Sequence, residues 1–139
     1  MRRSTALLAL ALITSALGCG SDGVTGPTPE SVAGTWNLHT VNGAALPMSL
    51  QAANPKVELL DDQIILSAVG TYTETFNLRL TSSTGEVSNQ PLSDAGRFTV
   101  RGSAVDFASD GDGGTFSAAV NGNQFTIAFS GVSQLFIRQ

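Results

Sequence analysis

Histidine, cysteine, tryptophan, tyrosine and lysine each occur once in this chain of 139 residues, and that scarcity removes several functions at the outset. One histidine, His39, and one cysteine, Cys19, cannot supply the nitrogen and sulfur ligands of an ordinary transition-metal site. Side-chain alternation puts His39 on the outer face of a strand, as a solvated residue. No Gly-x-Ser-x-Gly elbow accompanies it. With no base, nucleophile or metal set to assemble, the sequence predicts a protein that is not an enzyme and carries no cofactor and no metal. Basic residues are equally sparse and scattered, so nucleic acid is not an expected partner. No uninterrupted apolar run reaches the roughly 18–20 residues that a membrane-spanning helix needs. What remains is 42% hydrophobic and 13% charged, which is enough to bury a core rather than stay disordered.

The lone cysteine has a context. Met1-Arg2-Arg3 is followed by the apolar run of residues 6–13 and then by Thr14-Ser15-Ala16-Leu17-Gly18-Cys19. Positive, apolar, then small is the order of a secretory leader. Ala16-Leu17-Gly18-Cys19 resembles a bacterial lipobox, although Ala16 stands where such lipoproteins usually carry leucine. The resemblance implies that residues 1–18 are removed and that Cys19 bears diacylglycerol and a palmitate-type chain. At about 0.8 kcal/mol per buried methylene, two or more acyl chains hold a protein on a bilayer where one does not. The implied partner is therefore a membrane, reached through the N-terminal anchor, and the implied location is the cell envelope. Asp22 lies two places too far from Cys19 to act as an inner-membrane retention signal, which points to the outer membrane, with the leaflet left open. Without the leader, five basic side chains face eleven acidic ones, a net charge of −6.

Residues 19–29, rich in glycine and proline, read as a flexible tether, and residues 30–139 as the domain. A single helical turn is expected over residues 30–33, then strands throughout. Apolar residues alternate in 35–41 (Trp36, Leu38, Thr40 on one face), 71–81, 97–101, 115–120 and 124–130, with shorter runs at 105–107 and 132–138. Asn121-Gly122 is a strong hairpin cue, with positive φ expected at both residues. Gly102-Ser103, Asp61-Asp62, Val69-Gly70, Gly85 and residues 110–114 read as further reversals. The predicted fold is all-β: a small up-and-down antiparallel barrel of about eight strands, because closure leaves no exposed sheet edge.

Gly34-Thr35-Trp36, just after the helical turn, resembles the Gly-x-Trp opening of lipocalins, and Arg138 on the last strand matches the arginine that lipocalins stack on that tryptophan. The resemblance implies that Gly34, Trp36 and Arg138 close one end of the barrel, by a cation–π contact contributing about 0.5–2 kcal/mol. It also implies a monomeric binding module that takes a small apolar ligand at the other end, lined by Tyr72, Glu74, Phe76, Phe98, Phe116 and Phe125. Glu74 shares the apolar face of its strand, where an unpaired carboxylate is costly. Three readings stay open for it: a position at the watery mouth, a buried donor, or a ligand's polar group. So many large inward residues leave a filled barrel open as well, serving as a structural or inhibitor-like domain that contacts an envelope protein. Asp110-Gly111-Asp112-Gly113-Gly114 reads as a hairpin turn. With Asp106 its acids leave weak calcium binding open, although the glutamate that completes an EF-hand loop is missing.

Overall fold

The computed structural model describes residues 26–139, so the leader, Cys19 and most of the tether lie outside the described residues. Thr28 caps a one-turn helix, α1 (Pro29–Val32), and proline at its first position needs no hydrogen-bond donor. Ten strands follow: β1 (Gly34–Val41), β2 (Ala44–Ala45), β3 (Met48–Gln51), β4 (Lys56–Leu66), β5 (Thr71–Thr81), β6 (Val87–Arg101), β7 (Ala104–Ser109), β8 (Thr115–Asn121), β9 (Gln124–Phe129) and β10 (Val132–Arg138). From β4 to β10 each strand pairs with the next, β10 returns to β1, and β1 pairs with β4. Eight antiparallel strands thereby form a closed ring, while β2 and β3 are short additions on β1 and β4. Closure satisfies the backbone groups that an open sheet would expose along its edges.

Turn chemistry sets the hairpins. Gly122 (φ 60°) and Asn123 form the β8–β9 loop, and only the glycine is left-handed. This is a type II′ turn, one residue later than the expected type I′ turn at Asn121-Gly122, because glycine serves best at its first central position. Type I′ geometry, with both residues at positive φ, appears instead at Asn42-Gly43 and Ser130-Gly131.

Three expectations are corrected. Asp61-Asp62 is not a reversal but the middle of β4, beside a bulge between Leu59 and Asp61. The extra residue lets both Leu59 and Asp62 face inward, a phase slip that simple alternation does not register. A second bulge, at His39 in β1, turns Val41 rather than Thr40 into the core. Finally, β6 begins at Val87, ten residues before the expected strand at 97. Pro91 is tolerated because β7 pairs with β6 only from Gly96 onward, so Pro91 sits where β6 has a free side.

That last feature shapes the barrel. β4, β5 and β6 form a tall wall, while the β7–β8 loop turns at the level of Ala95, where the Asp110 N–H donates to the Ala95 carbonyl. The rim is therefore oblique. The core, with Trp36, Tyr72, Phe98, Phe107, Phe125 and Phe136 as its aromatic members, fills the end near α1.

Candidate functional site

The closed end is built from chain entry and exit. Trp36 and Arg138 are paired neighbours on β1 and β10, and the guanidinium carbon lies 4.6 Å from the indole centroid. The indole N–H donates to the Val32 carbonyl at 2.9 Å, and Arg138 donates to the Ser31 carbonyl, tying α1 across the base. Gly34 (φ 142°) lies beneath the Arg138 side chain, in a backbone region that favours glycine. Above this plug the aromatics interlock: Trp36 on Phe125 at 4.7 Å, Phe125 on Phe136 at 4.7 Å, and Phe107 stacked on Phe116 at 4.6 Å. Such pairs add about 0.5–1.5 kcal/mol each beyond their buried area. The lower half of the barrel is filled.

The upper half is not. Rising from the closed end, the inward pairs between β4 and β5 run Leu66 with Tyr72, Ile64 with Glu74, Asp62 with Phe76 and Leu59 with Leu78. One cavity of about 220 Å³ is lined by Leu50, Leu59, Asp62, Glu74, Phe76, Leu78 and Gln134. A second, of about 230 Å³, opens toward the low β7–β8 side between Glu74, Gly113, Thr115, Phe116, Ile127, Phe129 and Gln134. The two share Glu74 and Gln134. Phe129 and Leu50 stand at the rim, 71% and 53% exposed. Two larger hollows, of about 400 and 470 Å³, are lined mainly by polar side chains; Phe98, Phe107 and Phe116 also border the first, and Glu74 and Asp94 the second.

Carboxyl groups dominate the chemistry of this interior. Asp62 is 6% exposed, and its Oδ1 has no hydrogen-bond partner. Burial, and then the neighbouring Glu74, push the Asp62 carboxyl up to about 8. Glu74 is also raised, first by burial and then by the charge of Asp94, which faces it across the β5–β6 pair. Asp94 goes the other way. Partial burial acts to raise it, but hydrogen bonds from Ser109 (2.6 Å) and Tyr72 (2.7 Å), with a backbone contribution at Ala95, outweigh burial and hold it below the ordinary value. Tyr72 is raised in turn by burial and by its bond to Asp94. A carboxylate fixed in its charged form thus stands behind two carboxyls that resist ionisation. On the outer face Lys56 and Arg79 pair with Glu58 and hold its carboxyl low.

Among the residues expected to line a pocket, Glu74, Phe76 and Phe116 border the cavities, whereas Tyr72, Phe98 and Phe125 are buried in the packed lower half. Sequence reasoning missed Asp62 and Gln134. The missing signal was available, since residues 56–66 carry no glycine, proline or asparagine to make a turn. The suggested calcium set does not assemble. Asp106 accepts from Ser117 and pairs with Arg101, and among the described residues no three His, Cys, Asp or Glu side chains gather around one point suited to a metal. His39 is exposed.

No protein-family model and no curated protein matches the chain. Among solved structures it is similar to a lipocalin-like protein from Bacteroides uniformis, at 12% identity and a TM-score of 0.42, covering 77% of this chain and 97% of that one.

Proposed function

We propose that residues 30–139 are a non-enzymatic, lipocalin-like binding module that takes a small molecule in the upper half of its barrel. The leader and acylated Cys19 would hold it at the cell envelope, on the outer membrane. The observation that carries the reading is the pair of adjoining cavities above a buried aromatic floor. Interiors normally fill to crystal-like density, so space left over a rigid base favours a ligand over the filled structural barrel. The tryptophan–arginine closure on the first and last ring strands supports the lipocalin-like kinship. The domain would act as a monomer.

The test is titration of the chain from residue 20 onward, since the ring and its core close within residues 28–139. A panel of apolar fluorophores and small amphiphiles is followed by calorimetry and by emission from Trp36. Saturable one-to-one binding by at least one member is expected. A panel with no saturable member would remove the reading.

A further inference from the structure

We infer that the cavity is built for a small organic cation, an ammonium head on an apolar body, with the head seated among Asp62, Glu74 and Gln134. The body then points toward Phe129 and Leu50 at the rim. This rests on the binding-module reading above and names its ligand class.

Three observations converge on it. The first is Asp62 itself, a carboxyl more than nine-tenths buried that lines the cavity with Oδ1 unpartnered. A buried acceptor without a donor is costly, and proteins rarely leave one so. The second is that, among the described residues, no internal cation answers it. Neither cavity is lined by lysine, arginine or histidine. Lys56 and Arg79 are engaged with Glu58 outside, Arg101 with Asp106, and Arg138 with the indole at the far end. The third is the polarity of the surround. Asp94, held ionised by Ser109 and Tyr72, faces Glu74 in register and adds negative potential from behind.

An ammonium group brings three N–H donors and a positive charge. Asp62, with its free Oδ1, Glu74 and Gln134 line one space, and their side chains can supply three acceptors. With a neutral apolar guest Asp62 and Glu74 can only share a proton between them, and an anionic head meets two carboxyls. Apart from Thr115 the remaining lining is apolar (Leu59, Leu78, Phe116 and Ile127 among it), which suits a hydrocarbon body.

The experiment compares octylamine, 1-octanol and octanoate, identical chains with three head charges, by calorimetry on the chain from residue 20 onward. Octylamine is expected to bind at least tenfold more tightly than octanol, with octanoate weakest. Asp62→Asn and Glu74→Gln should each reduce the amine-over-alcohol preference to less than threefold while leaving octanol affinity within twofold. Asp62 is buried and Glu74 half-buried, and the emission of buried Trp36 verifies that each variant folds. Amine affinity should also rise from pH 6 to pH 8 as the Asp62 proton is displaced. The groups that set that dependence are Glu74 on β5, Asp61 beside it on β4, and Asp94 acting on Glu74 from β6. Octanol binding as tightly as octylamine, or an amine preference that survives both substitutions, would overturn the cation while keeping the binding module. Failure of all three compounds would overturn the cation, and the binding module falls with it only if the wider panel of fluorophores and amphiphiles also shows no saturable member.

Discussion

Replacing Asp62 with asparagine removes a charge that the barrel is poorly equipped to hold, and the consequence for stability depends on pH. In the folded chain the Asp62 carboxyl is raised from 3.8 to about 8, first by burial and then by Glu74. The folded state therefore keeps a proton that the unfolded chain releases near pH 4, and stability falls as pH rises from there to about 8. At about 1.4 kcal/mol per unit, the separation caps the loss at about 6 kcal/mol, and coupling to Glu74 divides it between the two groups. Asparagine buries the same unpartnered atom as the protonated carboxyl does, so that cost is common to both and cancels. The net expectation is a gain of about 2–4 kcal/mol for Asp62→Asn at pH 9, and little change at pH 5. Urea unfolding at both pH values, followed by Trp36 emission, reads this out as a midpoint shift present only in alkali. Wild-type and variant curves that stay parallel from pH 5 to 9 would refute the burial argument. Below pH 4 the sign reverses. Asp94 and Glu58 are lowered in the fold, so their contribution is present above their unfolded values and lost as acid protonates them.

Other perturbations test the remaining links. Arg138→Ala removes the guanidinium over Trp36 and its bond to Ser31, which should cost about 1–3 kcal/mol and red-shift Trp36 emission; an unchanged urea midpoint would contradict the closure. Gly96→Ala places a methyl against the Ala108 carbonyl and 2.9 Å from Tyr72 Cε1, so it should split the β6–β7 pairing and cost more than about 3 kcal/mol by thermal melt. Cys19→Ser should move the chain from the membrane to the soluble fraction of fractionated cells; retention would count against acylation.

The all-β class and the hairpin order were legible because alternation and glycine turns are local signals, and β5, β8 and β9 show both plainly. The interior was less legible, because its key acid arrives through a bulge. Inserting one residue near Leu60 changes the face of everything after it, so even with residues 56–66 read as one strand, simple alternation turns Asp62 away from Leu59's side. Which aromatics fill the floor and which border the cavity was also hidden. Tyr72 and Phe76 share a strand face and differ only in height, and height is set by ring register and by the low β7–β8 loop. Gln134 was not legible because its place in the cavity depends on strands far away in sequence.

The most direct test of the central claim is a crystal structure of the chain from residue 20 onward, soaked with 2-(4-iodophenyl)ethylamine. The account predicts an anomalous iodine peak near Phe129, with the amine nitrogen within hydrogen-bonding distance of Asp62 and Glu74. Side chains collapsed into that space, or iodine found only on the outer face of the barrel, would contradict it.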